Sequence, residues 1–471
     1  MFGLRGCLQP LKRLIFSKKG AKPFHGSLLV SIRGKSAEQY ISEVRIYVPN
    51  DIALSHPFIK GRGSDFCRGC LGGNLFTGLD LGRLPIANEL LLKEHSEIEK
   101  FPLHLKVCAE CGLGQVADVV TPERIFRDYR YLSSISTTFL EHASSYVEQR
   151  VQDGMFAPGD WVLEIASNDG YLLKNFLKHN IKVLGVEPAE NVAEISRKLG
   201  INTISEFFSS QLATKLLQKN GYPKLIIANN VLAHVPDLID IIKGLSVLCG
   251  PETQISIENP SLANILIGMQ FDTIYHEHYS YLSATSVARI SMDNGLHLSK
   301  VEALSIHGGS NRYWLTKLSD SNFTDDSVKK MIQDEKRQGL FEYVKWGEYS
   351  KKVSKILSDF HNWVRSTKET DGRIYGYGAA AKASTILNSI DLESGLITAI
   401  ADASLEKQSR FMPPNGIKII SPERLFTESP TDIIIFPWNI KKEIAEFLSG
   451  NLGERVRLWS VIPEMREVGK H

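Results

Sequence analysis

With 471 residues, of which 55 are basic and 53 acidic, the chain has a net charge of +2. That balance lacks the basic excess of nucleic-acid-binding surfaces, so no nucleic-acid partner is expected. A composition of 43% hydrophobic and 23% charged residues excludes wholesale disorder; the length suits about three domains, and no apolar run reaches the roughly 18 residues of a membrane span.

In chain order, residues 1–60 come first as a basic extension. Its first 35 residues hold eight Lys or Arg and no Asp or Glu, which fits a targeting peptide or a plain basic tail; the apolar stretch of a secretory signal does not follow. ISEVRIYVP alternates weakly and predicts one strand. Residues 61–120 form a Gly-rich, turn-rich unit with too few periodic segments for a sizeable core. It carries two C-x-x-C knuckles, Cys67 with Cys70 and Cys108 with Cys111, separated by 37 residues. Such knuckles set four thiolates around one zinc ion, and four sulfur ligands leave no open position, so the metal is expected to be structural. Cysteines used in this way fit a reducing compartment, and a cytoplasmic location is the expectation.

Over residues 121–300 the pattern changes. FLEHASSYVEQRV has the spacing of an amphipathic helix. WVLEIASNDGYLLKNFLKHNIKVLGVEP reads as strand, turn, helix, strand, and KLIIANNVLAHVPDLIDIIKGLSVL followed by TQISIEN repeats the alternation. The expected class is α/β, with a mostly parallel sheet between helices. Glu164 lies near the end of the first strand, and Asn168, Asp169 and Gly170 form the turn after it, where Gly170 would let a ligand approach the backbone. Glu187 ends the next strand, where a carboxylate can accept hydrogen bonds from a ribose diol. The pattern G-x-G-x-x-G is missing, which disfavours a dinucleotide and suits a methyl-donor nucleoside without a pyrophosphate. Asn229, Asn230 and His234 follow a further strand; they line the same crevice or cap the following helix.

YHEHYSY, Tyr275 to Tyr281, is the densest polar cluster. H-E-H fails the H-E-x-x-H spacing of a zinc protease, and histidines two apart share a face only on an extended strand. An acid–base group, with a histidine oriented by the glutamate and a tyrosine donating to an oxyanion, and a buried packing network both fit these residues. Residues 301–471 hold HGGSNRYWLTKL as a glycine turn and strand, a charged amphipathic region over 320–370, and a second strand–glycine turn–helix unit, RIYGYGAAAKASTILNSI, followed by strands at LITAIAD and PTDIIIFPWN.

CRGC and CAEC, YRYLSS, EIASNDG, NNVLAHVPD, IYHEHYSYLS, HGGSNR and YGAAAK occur in that order. From about Phe66 to Asn439 the chain resembles the S-adenosylmethionine-dependent C-methyltransferases that act on nucleotide-linked keto-deoxysugars. The resemblance implies a zinc-binding domain, a central Rossmann-like methyltransferase domain and a C-terminal Rossmann-like α/β domain that helps to bind the nucleotide sugar. It implies His278 as the base, with Glu277, Tyr275 and either Tyr129 or Tyr131 beside the reacting sugar. Donor binding falls to Glu164, Ala166, Asn168, Asp169, Gly170, Glu187, Asn229, Asn230 and His234. Substrate binding falls to His276, Asn311, Arg312, Tyr377, Lys382, Asp402 and Lys407. Ala166 departs from the usual EIGSNDG, and Asn311 stands where an apolar residue is usual. The competing readings are an NAD-linked nucleotide-sugar oxidoreductase or epimerase, and a zinc-stabilised binding protein without chemistry. The sequence leaves the oligomeric state open.

Overall fold

The computed structural model describes residues 65–94, 97–117, 120–121, 134, 137–413, 416–453 and 455–469. The basic extension, the ISEVRIYVP strand and both Tyr129 and Tyr131 lie outside the described residues.

The first sheet is small and antiparallel. Strands β1 (Leu75–Leu84), β2 (Phe101–Cys108) and β3 (Gly114–Val116) follow one another in it. Leu79, Leu103, Leu105, Val107 and Val116 point into one core with Trp346 and Phe360.

The central sheet is built by β4 (Trp161–Ile165), β5 (Lys182–Val186), β6 (Asn202–Ile204), β7 (Leu225–Asn229) and β8 (Gln254–Pro260), all parallel. β4 and β7 are apolar runs buried almost throughout, as strands covered on both faces must be. The crossover helices turn one apolar stripe inward: Leu212, Ala213 and Leu216 on Ser210–Asn220, and Leu238, Ile241, Ile242 and Leu245 on Leu238–Leu248. Ser209 and Asp237 cap these two helices through the amides of Leu212 and Asp240.

The chain then leaves this sheet. Strand β9 (Ser280–Tyr281) pairs with β3, so part of YHEHYSY forms the fourth strand of the first sheet. It returns as the hairpin β10 (Leu296–Leu304) and β11 (Ser310–Lys317), with β11 antiparallel to β8. The central order is β10-β11-β8-β7-β4-β5-β6, which reverses direction between β4 and β7. Ligands of open α/β sheets bind outside the carboxyl ends of strands at such a point.

Two helices, Asp326–Arg337 and Tyr343–Glu369, occupy the charged region. The last sheet comprises β12 (Ile374–Tyr377), β13 (Ile400–Ala401), β14 (Phe411–Met412), β15 (Ile417–Ile420), β16 (Asp432–Ile435), β17 (Arg457–Ser460) and β18 (Arg466–Glu467), in the order β14-β15-β13-β12-β16-β17-β18. Its core strands are parallel, with antiparallel edges at β14 and β18. Here the order reverses between β12 and β16. No helix among the described residues is long and apolar enough to cross a membrane.

Candidate active site

The four knuckle cysteines converge. Their Sγ atoms all lie within 4.8 Å of one another, and the Cys67–Cys111 and Cys70–Cys108 pairs are 3.6 Å apart. Sulfurs at about 2.3 Å from a tetrahedral zinc ion stand about 3.8 Å from each other, so the set fits that metal. Between the first two ligands, Arg68 is buried; its guanidinium donates to the carbonyls of Val116 and Tyr279. Tyr279 Oη donates to the Val120 carbonyl at 2.6 Å. The metal-binding unit therefore grips the YHEHY segment from behind.

That segment is neither helix nor strand at its histidines. The amide of His278 donates to the Tyr275 carbonyl at 3.0 Å, closing a tight turn that sends the two imidazoles apart. His276 Nε2 faces the carbonyls of Phe101 and Pro102 on β2, each at 3.2 Å, so His276 is directed to the first sheet. His278 Nδ1 is 3.0 Å from the Thr273 carbonyl and Nε2 is 2.8 Å from Tyr275 Oη. A carbonyl only accepts, so Nδ1 carries the proton and Nε2 accepts from the tyrosine. The His234 ring meets His278 edge-on with centroids 4.7 Å apart, and its Nδ1 donates to the Glu277 carbonyl at 2.8 Å. Burial, then the neighbouring His234, hold His278 well below the ordinary histidine range, and burial takes His234 down to about 4. Both rings are neutral bases at neutral pH. One Glu277 oxygen accepts from the amide and side chain of Asn88, each at 3.1 Å; the other is buried with no partner among the described residues. Burial raises the Glu277 pKa.

At the central switch point the turn after β4 is tightly wound. Ala166 has φ +51°, Asn168 +48° and Gly170 +81°. The methyl of Ala166 thus sits in left-handed backbone, where glycine is the unstrained choice. Packing alone already fixes Gly170: a Cβ there would meet Ile201 Cδ1 at 2.5 Å and Ser196 Oγ at 2.9 Å. Packing against the neighbouring crossover unit requires this glycine. The helix after the turn is short, Leu173–Leu177. Glu187 accepts from the amides of Asn168 (3.0 Å) and Ala189 (2.9 Å), bridging the ends of β4 and β5. Burial, then Asp169 and Glu187, push the Glu164 carboxyl well up. Asp169 Oδ1, Glu164 Oε2, Ser167 Oγ and Asn229 Oδ1 are buried without partners among the described residues. Unmet polar atoms at a switch point suit a nucleoside with an amino-acid tail. Asn229 and Asn230 are not the helix cap, a role that falls to Asp237; Asn230 has φ +56° and donates its amide to the Glu258 carbonyl at 2.6 Å.

Arg312 is held between two carboxylates. Nη2 is 2.9 Å from Glu258 and Nη1 3.1 Å from Glu302, its cross-strand neighbours on β8 and β10, and the guanidinium lies 4.6 Å from the Tyr146 ring centre. His142 Nε2 is 3.0 Å from Glu258, closing a buried ion cluster. Asn311 Nδ2 points to Tyr313 Oη at 3.3 Å. In the C-terminal domain Asp402 accepts from the amides of Ala379 and Ser404, both at 2.8 Å, and Lys407 donates to the Ala379 carbonyl at 3.0 Å, so this pair clasps the turn after β12. Tyr377 packs edge-on to Phe447 at 6.1 Å. Lys382 lies half-buried with Nζ 4.3 Å from the Trp438 ring centre and 3.2 Å from Asn439 Oδ1. Trp438 Nε1 donates to Asp272 Oδ2 at 2.7 Å. Asp272 is three residues before Tyr275, so the C-terminal switch point abuts the His278 loop. Burial raises Asp272 to about 6, against the pull of Lys382 and Trp438.

Asn88, His142, Glu258, Asp272 and Trp438, and His307 with its ring centre 5.4 Å from that of Phe139, belong to the region although no motif spacing singled them out. HGGS and FPWN, which hold His307 and Trp438, had carried the only available signal.

Three family models match in series: a putative zinc binding domain over residues 67–126, a methyltransferase domain over 139–301 and a C-methyltransferase C-terminal domain over 305–463. Together they give the chain the three-domain architecture of a C-methyltransferase. It is 29% identical over 409 residues to the C-methyltransferase NovU of Streptomyces niveus, an alignment spanning 86% of this chain and 97% of that one. Among solved structures, it is similar to the magnesium protoporphyrin IX methyltransferase from Synechocystis with bound S-adenosylmethionine, at 15% identity over 42% of this chain and 89% of that one, TM-score 0.30. The CcbJ methyltransferase from Streptomyces caelestis matches at 12% identity over 42% and 96%, TM-score 0.30. In this C-methyltransferase the methyl donor is S-adenosylmethionine, and the four cysteines are the ligands of a structural zinc ion.

Proposed function

We propose that this C-methyltransferase alkylates the carbon next to the ketone of a nucleotide-linked keto-deoxysugar, through an enolate. The observation that carries the reading is His278: its Nδ1 proton is fixed on the Thr273 carbonyl, so the Nε2 lone pair is the basic site. A ketone acidifies its neighbouring C–H, and a neutral imidazole accepts that proton at neutral pH. Glu187, Asp169 and Asn229 hold the donor at the central switch point, and bound S-adenosylmethionine supplies an electrophilic methyl on a sulfonium. Lys382 and the turn clasped by Asp402 and Lys407 hold the nucleotide part at the second switch point. Glu277 anchors the base loop to Asn88, and His234 walls one side of the His278 ring. His276, Arg312 and Asn311 support the fold around the site.

An NAD-linked oxidoreductase is the weaker reading, because the turn after β12 lacks the G-x-G-x-x-G fingerprint. The test is mass spectrometry of products from a panel of nucleotide keto-sugars incubated with methyl-labelled donor. A labelled sugar carbon is expected. No label in any product, together with thermal stabilisation by NAD and none by S-adenosylmethionine, overturns the proposal.

A further inference from the structure

His307 stands in the crevice with no assigned task. It has φ +56° and ψ +21° and connects β10 to β11. Left-handed backbone at a residue other than glycine is held only where the surroundings fix it. Here they do. A Cβ on Gly308 would collide with Trp438, and one on Gly309 with Asn264; the Gly308 carbonyl accepts from Gln270 Nε2 at 2.7 Å. The loop is clamped between the C-terminal domain and the segment leading to His278.

The ring's position follows from its neighbours. On one side lies Phe139, with centroids 5.4 Å apart; Phe139 in turn stacks at 4.8 Å on Tyr171, the residue after Gly170 in the donor turn. The Trp438–Lys382 pair lies against the next residue, Gly308. The His307 loop therefore lies between the donor turn, reached through Phe139 and Tyr171, and the C-terminal switch point, reached through Gly308 and Trp438. The ring is half-buried, and neither nitrogen has a hydrogen-bond partner among the described residues. Burial, then the Lys382 charge, hold it near a pKa of about 4, so it is a neutral N–H donor at neutral pH. A neutral imidazole donates well to a developing oxyanion, because it approaches that oxygen in basicity. The reaction needs a donor at the ketone oxygen; Tyr275 Oη lies against the base itself, 2.8 Å from His278 Nε2.

We propose that His307 is the N–H donor that receives the ketone oxygen as it becomes an enolate. This rests on the function proposed above. The Tyr275 hydroxyl turns off His278 Nε2, whose freed lone pair takes the proton; the C–H pair becomes the C=C bond of the enolate; the carbonyl π pair moves onto the oxygen, which accepts from the His307 N–H. When the carbon attacks the methyl, the methyl's bond to sulfur breaks and its pair stays on the departing thioether; the ketone re-forms and the oxygen returns to a weaker bond with His307.

The test separates enolisation from methyl transfer. The nucleotide keto-sugar identified by the product screen is incubated in D2O, and deuterium uptake at the carbon next to the ketone is followed with no methyl donor present. Methyl transfer is measured in parallel. His307→Gly deletes the ring and relieves the backbone, so folding is kept; His307→Asn restores an N–H donor in a residue that tolerates left-handed φ. The expected result is a loss of about 10²–10³-fold in both rates for His307→Gly. Donor binding in a thermal-shift titration stays unchanged, and His307→Asn recovers much of both rates. Wild-type exchange in His307→Gly, or an Asn variant no better than Gly, overturns this role and leaves the proposed function standing. A wild-type chain that neither exchanges nor methylates any keto-sugar overturns both.

Discussion

The Tyr275 hydroxyl lies 2.8 Å from His278 Nε2, and the Thr273 carbonyl lies 3.0 Å from Nδ1 of the same ring. One contact fixes the tautomer; the other covers the lone pair that would do the chemistry. Tyr275→Phe uncovers it while the ring stays anchored. A hydrogen bond donated to the neutral ring lowers its basicity, so removing it raises the His278 pKa. The expected outcome is a kcat at neutral pH that is kept or raised, with the acid limb of the pH–rate profile moved to higher pH. Steady-state rates across pH check both.

Acid should inactivate and then unfold the protein. His278, His234 and His307 all have folded pKa values below the ordinary histidine value, the latter two near about 4, with burial the first cause in each case. The unfolded chain binds protons at about 6.5. Between those values it holds more protons than the native state, so stability is full above about pH 6.5 and falls as pH drops toward the folded values. Urea midpoints measured between these limits should decline steadily. A flat midpoint would show that the three rings are protonated in the native state.

Metal and chemistry should be coupled. Cys70→Ser or Cys111→Ser is expected to lose zinc by metal analysis and to lose methyl transfer with it, although no cysteine belongs to the crevice. The sharper variant is Arg68→Met. It leaves the Val116 and Tyr279 carbonyls without this buried donor, at a cost of at least ~2 kcal/mol. Thermal melts should fall while the metal content stays at one per chain.

Ala166→Gly should raise stability by up to about 1 kcal/mol, because the residue at φ +51° no longer carries a methyl, offset by the extra freedom of glycine in the unfolded chain. Gly170→Ala should do the reverse, by more than ~2 kcal/mol, since its Cβ has Ile201 at 2.5 Å and its φ is +81°. Denaturant titrations of the two variants give opposite signs.

The α/β alternation was legible because burial on both faces leaves near-continuous apolar runs such as LIIAN, and the zinc site because two C-x-x-C pairs have few other uses. What could not be read was long-range. The buried cluster of Arg312, Glu258, Glu302 and His142 depends on strand register, and nothing near Arg312 in the sequence announces three partners. His278 was expected as the base and His276 at the substrate; one tight turn sends His276 to β2 and His278 to Thr273. The glycine of EIASNDG was read for ligand approach; that a residue 31 positions on, Ile201, leaves no room for a Cβ there was not legible. Only tertiary packing decides such cases.

Strand β9 gives the first sheet its last neighbour, and it comes from a segment made more than 160 residues after β3. During synthesis the early unit can gather its metal long before that partner exists, and until then β3 presents bare amides and carbonyls, an invitation to foreign strands. Fragments ending before Ser280 should therefore self-associate even when fully loaded with zinc, which sets a lower bound on where this protein can be cut for study.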